Sequence, residues 1–118
     1  MQTLQQQRAA HALKEVQDLI VLKEGDKLKA RASELPFMIH ANGLGQAAAF
    51  FCSKKDKDGY KEIYGLLQNW MTRAGGPLES QDGMMAAITR ADLHTYRVAQ
   101  AEAMQYMDWV KKFASAYL

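Results

Sequence analysis

The clearest pattern in this chain is a long amphipathic stretch at residues 92–118. Apolar side chains recur there at steps of three and four residues, which is the spacing of one face of an α-helix. The positions are Leu93, Tyr96, Ala99, Ala103, Tyr106 or Met107, Val110, Phe113 or Ala114, and Tyr117. The stretch contains no Pro or Gly, and Asp92 stands before it as a candidate N-cap. The pattern predicts a helix of roughly 35–40 Å, long enough to span a small domain.

Shorter stretches with the same periodicity precede this helix. The predicted helices cover residues 3–23, 27–41, 44–54 and 60–73, with a short helix at 82–89. Turn-forming residues separate them, notably Gly25, Asn42-Gly43 and Gly75-Gly76-Pro77. No stretch alternates apolar and polar residues as a half-buried strand would. We therefore expect an all-α fold, with one domain over residues 1–118 built as a bundle of five or six helices and a long C-terminal helix.

Local geometry is predictable around the second and third helices. Pro36 falls inside the second helix and must either kink it or occupy the first turn of a new one, because it has no N–H to donate. Asn42 and Gly43 tolerate the left-handed conformation that ends helices. Gly43 and Gly45 do not form a phosphate-binding loop, since no strand precedes them and no Gly-Lys-Ser/Thr follows. Helix capping explains these two glycines.

Composition narrows the class of protein. The chain has 118 residues, 48% of them hydrophobic, which is ample for one core. Its 15 basic and 13 acidic residues are spread along the chain and sum to +2, a weak bias towards anionic partners that argues against a dedicated duplex-DNA binder. No signal-peptide pattern or membrane-spanning run is present, so we expect a soluble, cytoplasmic protein with no membrane partner.

Catalytic and metal-binding signatures are scarce. His11, His40 and His94 lie on three predicted helices without metal-ligand spacing, and no cofactor is expected. Cys52 is the single cysteine, so no intramolecular disulfide forms, and beside two phenylalanines we expect it to be buried. Glu102 has no evident acidic companion for acid–base chemistry. These features favour a non-enzyme over a hydrolase that uses His40 or His94.

Charged and aromatic residues of the last helix have structural explanations. Arg97 and Glu102 are five residues apart and are expected to pair with adjacent helices rather than with each other. Lys111 and Lys112 complement the dipole at the end of the helix. Trp109 needs an apolar site and a partner for its N–H. A basic cluster, diluted by Asp56 and Asp58, lies in the predicted 54–59 loop and comprises Lys54, Lys55 and Lys57.

Two segments resemble a known family, the small subunit of Cmr-type, type III-B CRISPR RNA-guided effector complexes. Residues 35–50, LPFMIHANGLGQAAAF, are similar to its Leu-Pro and Asn-Gly-Leu-Gly-Gln stretch. Residues 96–114 are similar to its C-terminal signature, and the Arg8-Ala9-Ala10 opening also fits. The positions that carry the structural motif are Pro36, Asn42, Gly43, Gly45, Gln46, Tyr96, Glu102 and Trp109.

The resemblance implies an all-helical, non-catalytic subunit that stacks with copies of itself and with other subunits of the complex, beside the crRNA and target RNA. RNA cutting belongs to a neighbouring subunit in that family. A groove that follows an RNA backbone needs cations, while guide pairing supplies the sequence specificity. The candidate phosphate contacts are Arg8, Lys14, Lys54, Lys55, Arg97, Lys111 and Lys112.

A free-standing helical adaptor is the alternative. Its partner helix would bind a flexible, Met-rich surface made of Met84, Met85, Met104 and Met107. The two functions differ in salt dependence, because phosphate binding weakens steeply with salt and an apolar groove is nearly indifferent to it.

Overall fold

Six α-helices and no strand make up the fold in the computed structural model, which describes residues 1–118. The helices are α1 (Leu4–Asp18), α2 (Gly25–Asn42), α3 (Leu44–Ser53), α4 (Tyr60–Met71), α5 (Met84–Arg90) and α6 (Leu93–Tyr117). A short 3₁₀ turn, Ile20–Leu22, follows α1. The all-α prediction with a long final helix is confirmed, and no helix is long and apolar enough to cross a membrane.

Helix α6 lies between α1 and α2 and is packed against both. Arg8 and His11 of α1 bond to Glu102 and Tyr106 of α6 in the same order, so α1 and α6 run parallel. Helix α2 runs antiparallel to α6, because its first residue touches Leu118 and the residue after its end contacts the beginning of α6. Helices α3 and α4 pack against α2 and α6, and 25 buried apolar side chains form one contiguous core.

Helix α1 ends earlier than predicted. The expected helix over residues 3–23 stops at Asp18, and the chain then makes the 3₁₀ turn and a left-handed residue at Lys23, with φ 57°. The side chains of Ile20, Val21 and Leu22 are exposed, so no core face holds the chain in α-helix there. The predicted helix was too long because the prediction followed the apolar residues, and periodicity does not show which of them pack against another element.

Helix α2 continues through Pro36 for 18 residues. Of the two predicted alternatives for this residue, the first turn of a new helix is therefore wrong. Pro36 leaves one backbone bond unmade, but Leu35 and Ile39 on either side of it are fully buried, and their packing holds the helix together. The predicted stop at Asn42-Gly43 is confirmed, since Gly43 adopts φ 88° and ψ 160°, a region essentially restricted to glycine.

Side chains from α6 cap the beginning of α3. The Leu44 N–H donates to Gln100 Oε1 at 2.9 Å, and the Gly45 N–H donates to the Tyr96 hydroxyl at 2.8 Å. A Cβ at either Gly43 or Gly45 would stand 3.3 Å from that hydroxyl. The glycines therefore permit the close approach of α6. The prediction that they take part in helix capping is confirmed, and the capping side chains come from a helix that is distant in sequence.

Two expectations about burial are wrong. Cys52 is exposed, because it lies on the outer side of α3 while Phe51 turns into the core. Met84 and Met107 are fully buried, and Met85 and Met104 are partly buried against the core. The Met-rich surface of the adaptor alternative therefore does not exist, because helical packing directs half of its residues inwards.

The two glycines Gly43 and Gly65 are predicted to respond in opposite ways to alanine. Gly43→Ala should lower the free energy of unfolding by about 1–3 kcal/mol, because alanine is strained at that φ and ψ and meets the Tyr96 hydroxyl. Gly65→Ala should raise it by about 0.5–1 kcal/mol, because Gly65 lies inside α4 with no atom within 4 Å of the added methyl. Urea denaturation of both variants measures this, and equal effects would contradict the capping geometry.

Candidate nucleic-acid interface

Arg8, a candidate phosphate contact, is engaged inside the bundle. Its Nε and Nη2 donate to the two carboxylate oxygens of Glu102 at 2.5 and 2.8 Å, and the two side chains are only 14% and 12% exposed. The Trp70 indole N–H donates to the same carboxylate at 2.9 Å. Glu102 therefore joins α1, α4 and α6 at one point. The expectation that Glu102 pairs with an adjacent helix is confirmed, and its partner is Arg8.

The contacts between Arg8, Trp70 and Glu102 favour the ionised forms of Arg8 and Glu102. Burial alone would raise the pKa of Glu102, but the hydrogen bonds from Arg8 and Trp70 outweigh it and hold the pKa below its ordinary value. The bond to Glu102 likewise raises the pKa of Arg8. A buried ion pair of this kind persists because its donors and acceptors are mutually satisfied.

Aromatic rings surround the carboxylate. The rings of Trp70 and Tyr106 stack at 5.3 Å with an interplanar angle of 4°, and the Arg73 guanidinium lies 3.4 Å from the centre of the indole ring. His11 Nδ1 is 2.7 Å from the Tyr106 hydroxyl, and burial lowers the pKa of His11. We call Arg8, His11, Trp70, Arg73, Glu102 and Tyr106 the Glu102 junction. Sequence reasoning missed Trp70 and Arg73: Trp70 lies in the buried stripe of α4, and Arg73 follows the end of that helix with no pattern to mark it.

The remaining motif residues lie at the surface or beside the core. Trp109 is partly buried and stacks on Phe113 at 5.6 Å, and its indole N–H makes no hydrogen bond within the chain. Trp70, rather than Trp109, is the tryptophan with an apolar site and an N–H partner. Asn42 and Gln46 are exposed and make no side-chain hydrogen bond within the chain.

The surface cations divide into paired and unpaired sets. Seven of the 15 lie within 4 Å of a carboxylate: Arg8, Lys14, Lys27, Lys29, Arg31, Arg90 and Lys112. The others are Lys23, Lys54, Lys55, Lys57, Lys61, Arg73, Arg97 and Lys111. Of the seven sequence candidates, Lys54, Lys55, Arg97 and Lys111 are therefore unpaired, while Lys14 and Lys112 are paired with Asp18 and Asp108 at 2.8 and 3.0 Å.

Four unpaired lysines gather where α3 turns into α4. We call Lys54, Lys55, Lys57 and Lys61 the lysine corner. Lys54 lies over the Phe50 ring at 4.9 Å, and Lys55 takes a left-handed conformation with φ 55°. Asp58, one of the two carboxylates expected to dilute this charge, reaches Lys27 at 3.7 Å instead.

A groove of about 450 Å³ opens beside this corner. Lys55 and Lys61 line it together with Phe51, Cys52, Asp56 and Tyr64. Sequence reasoning missed Lys61, which lies four residues after Lys57 and begins the exposed side of α4. The structure therefore extends the basic loop into a wider basic surface that borders a groove.

The candidate cations of α6 lie apart from one another on its outer side. Arg97 is exposed near the beginning of the helix. Lys111 lines a groove of about 310 Å³ between α2 and α6, beside Phe37 and His40. The seven candidates therefore do not form one site, and the densest unpaired charge lies at the lysine corner.

The fold and this surface define a small, all-α protein whose partly buried polar groups hold helices together and whose unpaired charge lies outside. The family model for CRISPR-associated protein (Cas_Cmr5) matches residues 4–117. The chain belongs to this family and is a small subunit of the Cmr-type, type III-B CRISPR effector complex. The resemblance seen in residues 35–50 and 96–114 is confirmed.

Breaking the Glu102 junction is expected to destabilise the fold. Glu102→Gln should lower the free energy of unfolding by about 2 kcal/mol, because it leaves the Arg8 charge largely buried without a counter-charge. Asp56→Asn is the matched control, since that carboxylate is exposed and unpaired. In the double variant Arg8→Met/Glu102→Gln the loss should be smaller than the sum of the losses in Arg8→Met and Glu102→Gln. Urea denaturation measures the wild type and these four variants, and simple additivity would contradict the junction.

Acid is expected to weaken the same interaction. Because the folded pKa of Glu102 is depressed, its contribution is fully present above the unfolded value of about 4.3 and is lost as the pH falls through the folded pKa. The stability gap between the wild type and Glu102→Gln should therefore shrink as the pH falls from about 5 through the folded pKa. A gap that stays constant over that range in chemical denaturation would show that Glu102 does not titrate with folding.

Proposed function

We propose that this chain is a non-catalytic structural subunit of the type III-B CRISPR effector, a complex for antiviral defence. In this proposal it stacks in several copies within the complex and helps to hold the crRNA and the target RNA. Its partners are copies of itself, other subunits and RNA, and its compartment is the cytoplasm. It needs no cofactor for this role.

The lysine corner is the observation that carries the RNA-binding part of the proposal. Four cations occur within residues 54–61, and none of them has a carboxylate partner within 4 Å. An unpaired lysine loses no ion pair within the protein when it binds a phosphate, whereas a paired cation must first break its ion pair with a carboxylate. Since guide pairing supplies the sequence specificity, the subunit needs only sequence-independent contacts with the RNA backbone.

The other candidates take secondary places in this proposal. Arg97 and Lys111 are unpaired and exposed, so they are proposed as additional phosphate contacts on α6. Lys14 and Lys112 are in exposed i, i+4 pairs, which contribute little to stability and which RNA could displace. Arg8 is withdrawn from the set, because leaving Glu102 would break the junction of three helices.

The non-catalytic role is supported by where the histidines lie. His11 is hydrogen-bonded within the Glu102 junction, and His40 and His94 are exposed on different helices. No three His, Cys, Asp or Glu side chains are close enough to hold a metal ion. Cutting of RNA is accordingly proposed to reside in a neighbouring subunit.

Replacing lysines at the corner is predicted to weaken RNA retention in a salt-dependent way. Lys55→Gln/Lys57→Gln/Lys61→Gln should lower the affinity of the reconstituted effector for target RNA. It should also reduce the slope of log K against log salt by about two for each incorporated copy, since three lysines are replaced and each single-strand phosphate contact contributes about 0.7. Filter binding across a salt series measures the slope.

The matched control is Lys23→Gln/Lys29→Gln/Arg90→Gln, which removes the same charge from cations outside both the candidate set and the lysine corner. Native mass spectrometry first establishes that each variant is incorporated and in how many copies. Normal incorporation of the corner variant with a slope equal to that of the control would contradict RNA contact at this surface. Failure of the wild-type chain to enter the complex in more than one copy would contradict stacking.

A further inference from the structure

The groove beside the lysine corner combines aromatic side chains with cations. Its lining comes from the end of α3, the loop that follows and the first turns of α4: Phe51, Cys52, Lys55, Asp56, Lys61 and Tyr64. We call it the Tyr64 groove. Its volume of about 450 Å³ lies within the range of about 300–1,000 Å³ that is usual for sites of small organic ligands. A bare anion such as phosphate needs neither this volume nor an aromatic lining.

Local chain geometry brings the lining residues together. The Lys55 N–H donates to the Cys52 carbonyl at 3.2 Å, and Lys55 takes φ 55°, so a tight turn closes the end of α3. Lys61 and Tyr64 are three residues apart in α4, which puts them on the same side of that helix. Phe51 is fully buried and belongs to the core. The Tyr64 groove therefore lies where the core meets the basic loop.

The polar groups of the groove suit a ligand that has both an anionic part and a ring. Neither Lys55 nor Lys61 has a carboxylate within 4 Å, so both are free to bind a phosphate. Asp56 is exposed and unpaired, so its carboxylate is free to accept hydrogen bonds from the amino group of a base. Burial and a hydrogen bond with the Cys52 thiol raise the pKa of Tyr64, so its ring remains a neutral phenol.

We propose that the Tyr64 groove binds one nucleotide unit, with the base against the Tyr64 ring and the phosphate on Lys55 and Lys61. This inference rests on the proposed function, because it adds a base contact to the phosphate contacts of the lysine corner. Every base has an aromatic face, so stacking holds a nucleotide without reading its sequence, and one stacked base is worth about tenfold in affinity. A residue of single-stranded RNA and a free nucleotide share this chemistry.

Alkylation of Cys52 reports occupation of the groove directly, because Cys52 is the only cysteine, is exposed and lines the groove. The purified chain is treated with iodoacetamide at fixed pH and ionic strength, and mass spectrometry follows the rate. The ligands are adenosine 5′-monophosphate and single-stranded hexaadenylate. Their controls are ribose 5-phosphate and an abasic hexamer, which have the same phosphates and sugars but no base.

A ligand with a base should slow alkylation about tenfold at about ten times its dissociation constant. Its control without a base, at the same concentration, should slow alkylation by no more than about twofold, since it lacks the stacked ring. Protection by hexaadenylate but not by adenosine monophosphate assigns the groove to a residue of an RNA strand. Protection by adenosine monophosphate but not by hexaadenylate assigns it to a free nucleotide. Either result supports the proposal.

Variants separate the ring from the charge. Tyr64→Leu should remove the difference between each ligand and its control, because the side chain stays apolar but loses the ring. Tyr64→Phe keeps the ring and should keep the difference, and it provides the test if Tyr64→Leu does not fold. Phe37→Leu is the matched control, since Phe37 is an exposed ring beside a different groove. Each variant is compared with its own rate in the absence of ligand.

The contrary outcomes distinguish this proposal from the one on which it rests. Equal protection by ligands with and without a base would overturn the nucleotide site and leave the phosphate contacts of the lysine corner in place. No protection by any ligand would also overturn the nucleotide site. In that case an altered salt slope for the corner variant in the effector would still support RNA contact at the corner, and an unchanged slope would overturn both proposals.

Discussion

The ionised carboxylate of Glu102 is the constraint on which the bundle depends. It accepts two hydrogen bonds from Arg8 on α1 and one from Trp70 on α4, and so fixes α6 against both helices at once. A carboxylate so little exposed is stable only when its acceptor positions are occupied, and that requirement selects one register of α1 on α6. The parallel direction of those two helices follows from it.

A second constraint fixes the other side of α6. Tyr96 and Gln100 cap α3, and the absence of side chains at Gly43 and Gly45 allows the approach. Polar side chains of α6 thus accept hydrogen bonds from backbone N–H groups of α3 and from the Arg8 guanidinium of α1. The two segments that resemble the Cmr-type small subunit meet at this point, so the likeness reflects packing between helices that are far apart in sequence. The surface available for partners is then formed by residues that these contacts leave free.

Periodicity predicted the helices because burial of one face repeats every three to four residues, and it placed most of their ends within two residues. It misjudged the end of α1, where Ile20, Val21 and Leu22 are apolar but have no internal partner. It also misjudged Met84 and Met107, since which side of an apolar helix faces the core depends on tertiary packing. The Arg8–Glu102 pair joins residues 94 positions apart, and no local pattern indicates which of 15 cations takes that place.

The central position of α6 also bears on how the chain acquires its structure. Helices α1 and α2 precede it in sequence, and each has its most extensive packing against it. Because synthesis proceeds from the N-terminus, the emerging chain exposes the inner faces of α1 and α2 until the last helix leaves the ribosome. The chain is therefore expected to fold in one step after α6 has been synthesised. A nascent chain that stalls before α6 would expose apolar surface to chaperones and proteases.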